Sequence, residues 1–169
     1  MIKYSLYAVL LFFTCCKGVS QEQKQNDSKT KTVVENQKPK SFPVQKSEEE
    51  WEQQLPKDAF YVLRKAATEN PFSSELLENK GEGTYMCAGC NAALFSSETK
   101  FDSGTGWPSF YEEIDGAVVY DVDFKVGYKR TEELCAHCGG HLGHMFEDGP
   151  APTGERHCIN GVALRFVQR

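Results

Sequence analysis

Four of the seven cysteines in this chain form two Cys-x-x-Cys pairs, Cys87/Cys90 and Cys135/Cys138, and Cys158 is the only other cysteine beyond the first sixteen residues. A Cys-x-x-Cys pair closes a tight turn that aims both sulfurs at one point. Two such turns supply the four thiolates preferred by a tetrahedral structural zinc. The pairs are separated by residues 91–134, far more than the roughly 15 to 20 residues of a compact zinc ribbon, so a metal here would staple distant hairpins together. Two disulfides or a thioredoxin-like redox pair are the competing arrangements, the more so if the chain is exported. His137, inside the second pair, is read as a bystander.

Cys158 has no spare cysteine nearby. It lies in Arg156-His157-Cys158-Ile159-Asn160, downstream of His141-Leu142-Gly143-His144, so one chain holds a thiol, a cation to lower its pKa and imidazoles that titrate near neutrality. On a regular strand, the spacing of His141 and His144 places their rings on opposite faces. Asn160, two residues from Cys158, is expected on the same strand face as the thiol.

The elements that must carry these residues change character along the chain. Residues 1–16 hold Lys3, an apolar run from Leu6 to Phe13 and then Thr14-Cys15-Cys16. The run is too short for the ~20 residues of a membrane span and fits a signal h-region, and cysteine directly after it resembles a lipoprotein signal. Export to the periplasm or cell envelope, with lipid on Cys15 or Cys16, is the expectation. Residues 17–46 are dominated by polar side chains and read as a disordered tether. The globular domain is assigned to 47–169. It is expected to open on a capping box, Ser47 to Glu50, followed by a helix to Pro56 and a second helix capped by Asp58, with Ala59, Val62, Leu63 and Ala66 on one stripe. A short turn is expected near Ser74 to Glu78.

Beyond Gly83 the pattern turns β-rich, with strands predicted at 84–87, 117–122, 126–130, 141–146 and 159–167. No strands alternate with long helices, which excludes a doubly wound parallel sheet. The formal net charge of −5, with scattered Lys and Arg, argues against a nucleic-acid partner. The expected fold is therefore mainly β with short N-terminal helices and a structural zinc clip.

Gly104-Thr105-Gly106-Trp107-Pro108-Ser109-Phe110, the two histidines of 141–144, Arg156 to Asn160, both Cys-x-x-Cys pairs and Pro71-Phe72-Ser73-Ser74 together resemble the type B methionine-R-sulfoxide reductases. The resemblance covers roughly residues 48 to 169. It implies two antiparallel sheets, one structural zinc on Cys87, Cys90, Cys135 and Cys138, and no organic cofactor. It also implies catalysis by Cys158 with His144, His141, Asn160 and Arg156, and a substrate pocket that includes Trp107 and Phe110. The thiol would attack the sulfoxide sulfur, an imidazole would protonate the oxygen, and the indole would pack on the substrate methyl. Some members carry a resolving cysteine where this chain has Thr105, so the implied sulfenic acid is expected to be reduced by an external thioredoxin-like protein. A zinc-ribbon binding module without catalysis is the alternative, under which Cys158 would be dispensable.

Overall fold

The computed structural model of the chain describes residues 41–169. The leader assigned to 1–16, and residues 17–40 of the tether, lie outside the described residues. No helix among the described residues is long and apolar enough to cross a membrane.

Helix α1 spans Glu48–Gln54 and begins on the predicted capping box: the Ser47 hydroxyl accepts from the Glu50 amide at 3.2 Å, and the Glu50 carboxylate accepts from the Ser47 amide at 2.7 Å. Helix α2, Lys57–Lys65, starts two residues earlier than an Asp58 cap would place it, after Pro56 and with no side-chain cap. Proline fixes the backbone angle that the first turn needs and brings no N–H to satisfy. Asp58 sits within the first turn, not ahead of it. Ala66 ends the helix in the left-handed conformation, before Pro71 is reached. Ser74 caps a short 3-10 turn at Glu75–Leu77, as predicted.

Nine strands follow among the described residues: β1 Gly83–Cys87, β2 Ala93–Ser96, β3 Lys100–Phe101, β4 Ser109–Phe110, β5 Val118–Asp123, β6 Arg130–Cys135, β7 His141–Phe146, β8 Arg156–Ile159 and β9 Leu164–Gln168. They form two antiparallel sheets, ordered β2-β1-β9 and β3-β4-β8-β7-β6-β5. The expected mainly β fold with two antiparallel sheets is thus present. Two boundaries differ from expectation. Residues 126–130 were predicted as a strand, but the chain turns there and β6 begins at Arg130. The predicted strand 159–167 is broken after Ile159 by a 3-10 turn at Gly161–Ala163.

The core joins both sheets and both helices. Phe95 and Phe110 stack at 4.4 Å, Tyr85 meets Phe110 edge-on at 4.9 Å, and Trp51, Phe60 and Leu63 bring the helices into the same cluster. Each such side chain contributes about 1.5–3 kcal/mol by leaving water. The helices also cover the Cys-x-x-Cys turns: Trp51 and Leu63 lie over Gly89, Gln54 donates to the Gly89 carbonyl, and Arg64 donates to the Cys138 carbonyl. Phe42 lies against Gly139, and the Val44 amide donates to the His137 carbonyl at 2.8 Å.

Candidate active site and metal centre

The two Cys-x-x-Cys turns have matching backbone geometry. The Asn91 amide donates to the Cys87 carbonyl at 2.9 Å, and the Gly139 amide donates to the Cys135 carbonyl at 2.8 Å. Asn91 and Gly139, each four residues past the first cysteine, take φ of 60° and 67°. This left-handed residue folds the chain back, so Cys87 also donates to Ala92 and Cys135 to Gly140. The four sulfurs lie within 4.8 Å of one another, with Cys87–Cys138 at 3.7 Å and Cys90–Cys135 at 3.6 Å. A tetrahedral ion bound to thiolates at about 2.3 Å places its sulfurs roughly 3.8 Å apart. The donor set therefore fits a closed tetrahedral metal site, and all four are free thiols, which sets aside the disulfide arrangement.

Cys158 sits elsewhere, in the six-stranded sheet, facing Ser109 on β4 and His144 on β7 in the strand register. The close approach of β7 depends on Gly143, where a Cβ would fall 2.0 Å from the Cys158 carbonyl oxygen. The thiol opens into a cavity of about 110 Å³ lined by Trp107 and Phe146 as apolar walls and by Thr68, Arg130, His144 and Asn160 as polar ones. Trp107 is held by its indole N–H, which donates to the Glu69 carbonyl at 3.2 Å. Gly106, at φ 91°, packs against Pro71 and Phe72 so tightly that a Cβ would clash at 2.8 Å, and the Phe72 amide donates to its carbonyl.

Polar groups around the thiol are arranged in pairs. His144 Nε2 lies 2.8 Å from Asp123 Oδ2, and the same carboxylate pairs with Arg130. Hydrogen bonds from the Lys125 amide, His144 and Arg130 outweigh burial and hold Asp123 well below the usual carboxylate range. His144 is pulled below its ordinary value, chiefly by burial and against the bond to Asp123. A neutral His144 donating Nε2–H to ionised Asp123 leaves its other ring nitrogen without a proton. His141 contacts Glu132 through Nδ1 at 2.6 Å.

The rings of His141 and His144 are 5.4 Å apart, edge to face, which corrects the expectation of opposite faces. The physical cause is a bulge. Glu133 pairs with Gly143 and Leu134 with His141, so Leu142 is an extra residue and a three-residue spacing acts as two. His144 is the histidine that lines the cavity.

Burial pushes the Cys158 thiol up, where the sequence pointed to a lowered value. The charge of Arg156 and the Thr105 hydroxyl pull the other way. Arg156 is aimed by a two-point pair with Asp148 at 2.7 and 2.9 Å and by stacking over Phe146 at 4.4 Å. Thr105 Oγ1 lies 3.9 Å from the Cys158 sulfur and continues to Ser103 and Ser109 through hydroxyl contacts of 2.8 and 2.7 Å.

Of the residues singled out from sequence, Cys158, His144, Trp107 and Asn160 converge on the cavity. Asn160 lies just past β8 and is spent on scaffolding: its amide nitrogen donates to the Leu142 carbonyl, and its Oδ1 accepts from the Glu69 amide. Phe110 is not brought to the cavity; it is fully buried in the aromatic core. Sequence reasoning missed Asp123, Arg130, Phe146 and Glu69. Glu69 accepts from the Gly161 and Val162 amides at 2.6 and 3.0 Å while its backbone holds Trp107 and Asn160. It lies in an ordinary polar stretch that carries no signal.

A half-buried lone thiol opposite an imidazole, in a small aromatic-walled cavity remote from a four-thiol cluster, defines a thiol-dependent oxidoreductase carrying a separate metal-binding clip. Residues 55–168 match the SelR domain, and the chain belongs to that family. It is 50% identical over 127 residues, 75% of its own length and 97% of the relative's, to the peptide methionine sulfoxide reductase MsrB of Leptospira interrogans serogroup Icterohaemorrhagiae serovar Lai. Against the MsrB of Methanosarcina barkeri the identity is 55% over 124 residues, 73% of this chain and 87% of that one. Against the MsrB of Bradyrhizobium diazoefficiens it is 50% over 141 residues, 83% and 96%.

Proposed function

We propose that the chain reduces peptide methionine-R-sulfoxide to methionine, with Cys158 as nucleophile. The observation that carries this reading is the placement of the Cys158 sulfur in a cavity walled by Trp107 and Phe146 with His144 directly across the strand pair. The thiol proton passes to the bare ring nitrogen of His144, and the imidazolium formed is held by Asp123. The thiolate attacks the sulfoxide sulfur while the sulfoxide oxygen takes the proton. Oxygen ends on Cys158 as a sulfenic acid, and methionine leaves as the thioether. Arg156 stabilises the thiolate, and the indole and phenyl walls receive the methyl group, so that one epimer presents its oxygen to His144.

Cys87, Cys90, Cys135 and Cys138 hold one structural zinc, which fixes the turns ending β1 and β6 and supplies no open coordination position. The other four cysteines among the described residues are these same thiols. With Thr105 beside Cys158, the sulfenic acid is therefore resolved by an external, thioredoxin-like dithiol. Leu6 to Phe13 followed by Cys15 and Cys16 supports export with a lipid anchor; radiolabelled palmitate left unincorporated by cells would refute the anchor.

The decisive experiment is turnover of separate R and S sulfoxide peptides by the purified chain with excess dithiol, beside Cys158→Ser. Turnover of R alone, lost in the variant, is expected. A folded, metal-loaded protein that turns over neither epimer would move the reading to a zinc-ribbon binding module.

A further inference from the structure

On the face of β8 opposite Cys158, His157 is wholly buried among acidic side chains. Its Nδ1 lies 2.5 Å from Glu133 Oε1, while Nε2 makes no hydrogen bond. That second nitrogen points at two more carboxylates, with Glu113 Oε2 at 3.4 Å and Glu155 Oε2 at 3.6 Å. The three donor atoms of Glu113, Glu155 and His157 all lie within 4.8 Å of one another. Nothing in the sulfoxide chemistry uses this group.

Three features of the cluster belong together. A metal-ligating histidine characteristically donates its other ring N–H to a carboxylate, which fixes the tautomer and raises the basicity of the ligating nitrogen; Glu133 stands in that position. An ion with N and O ligands at about 2.1 Å has ligand-to-ligand edges of roughly 3.0 Å in octahedral and 3.4 Å in tetrahedral coordination, so the two separations seen here need only a small contraction to close on one cation. Three carboxylates gathered round one imidazole, with the Tyr120 hydroxyl bonded to Glu113, also leave excess negative charge that a cation would offset. The Glu155 side chain is 20% exposed, which gives an ion a path in from solvent, whereas Glu113 is 7% exposed.

We propose that Glu113, Glu155 and His157 form a second cation site, distinct from the four-cysteine clip, that binds a divalent ion such as Mn2+ with Glu133 as the carboxylate behind the histidine. One nitrogen and two carboxylate oxygens suit manganese better than the all-thiolate clip does, so the two sites differ in metal preference. The ion would tie the segment after β4 to the start of β8, the strand whose next residue is Cys158. Its role is structural, since the cluster faces away from the catalytic cavity.

The test titrates the full chain, its clip loaded with zinc, with Mn2+ alone and counts free ion by electron paramagnetic resonance. One Mn2+ per chain is expected, with affinity at least tenfold weaker in Glu155→Gln and in Glu113→Gln, and a Mn2+-dependent rise in Tm that both variants lose. Unchanged zinc content verifies that the variants are folded. Should Glu113→Gln fail to fold, the partly exposed Glu155→Gln decides alone. No Mn2+ bound by the wild-type chain up to millimolar concentration, or undiminished binding by Glu155→Gln, overturns the proposal and leaves a cluster balanced by protons.

Discussion

The cysteines of this chain do opposite things in the two regions that hold them. In the clip, four sulfurs crowd within 4.8 Å, backed by turns in which the first cysteine's amide and carbonyl are both engaged, and roofed by Trp51 and Leu63. At the cavity, one sulfur stands apart, half-buried, with a titratable partner across the sheet. The difference teaches that reactivity here is set by what the thiol is denied. Among the described residues Cys158 has no cysteine partner, and the Thr105 hydroxyl 3.9 Å from its sulfur cannot close a disulfide. Crowded thiolates suit a metal staple, and an isolated thiol suits a nucleophile.

The sharpest way to break the comparison is to exchange the two kinds of loss. Cys158→Ser is expected to abolish sulfoxide turnover while leaving metal content unchanged and stability within about 1 kcal/mol, as for a small isosteric change in a half-buried site. Cys135→Ser should do the reverse at the level of cause: metal is lost, and because apparent structural-zinc free energies run to about 10–16 kcal/mol, the cooperative unfolding transition goes with it. Metal analysis and thermal unfolding of both variants decide. A Cys135→Ser protein that melts normally would show that the clip is not a staple.

Next in size are the partners of the lone thiol. His144→Asn is expected to cost about 10²–10⁴-fold in kcat/KM, the range of a general acid–base group. Asp123→Asn should cost nearly as much, since Asp123 acts through His144. The double variant should be no worse than His144→Asn alone. Losses that multiply would mean that Asp123 serves the cavity by another route, through Arg130.

The chemistry was more legible in the sequence than the sheet that presents it. The cysteine pairs, the lone thiol, Trp107 and strand 141–146 stand where the pattern put them. Strand β6 was missed because Arg130-Thr131-Glu132-Glu133 carries no apolar alternation. Its charged side chains are matched one by one across the fold: Arg130 with Asp123, Glu132 with His141 and Glu133 with His157. The Val126 and Tyr128 that suggested a strand are exposed instead in the turn between β5 and β6. Phe110 enters the expected substrate pocket only through the resemblance of the Gly104-to-Phe110 stretch, yet strand alternation turns it into the core. The bulge at Leu142, which brings the two imidazoles together, depends on partner-strand register that no local spacing records.

A smaller effect sharpens the electrostatic half of the comparison. His144 is pulled below its ordinary value and Cys158 pushed above its own, so the thiol and neutral imidazole coexist over a broad range. The profile of kcat/KM should therefore be a wide plateau, with its acid limb below the usual histidine value and its alkaline limb above the usual thiol value. Arg156→Gln removes a charge that favours the thiolate, so the alkaline limb should move to higher pH by roughly one unit while plateau activity falls several-fold. An alkaline limb that stays in place would confine Arg156 to its contacts with Phe146 and Asp148.

The smallest effects test whether the two turns of the clip are as equivalent as their geometry. Gly139 and Asn91 hold the same left-handed position, but a Cβ on Gly139 would lie 2.4 Å from the Phe42 ring. Gly139→Ala should therefore cost about 1–2 kcal/mol, part from backbone strain and part from displacing Phe42. Asn91 already carries a side chain there, and its Oδ1 accepts from Arg165 at 3.0 and 3.2 Å on the exposed surface. Asn91→Gly relieves the left-handed strain, loses those exposed bonds and gives the unfolded chain more freedom, changes that nearly cancel. The urea midpoint of the metal-loaded protein should shift by no more than about 0.5 kcal/mol equivalent. A loss as large as that of Gly139→Ala would mean that Arg165 on β9 is part of the clip's support, and that its two halves are held by different means.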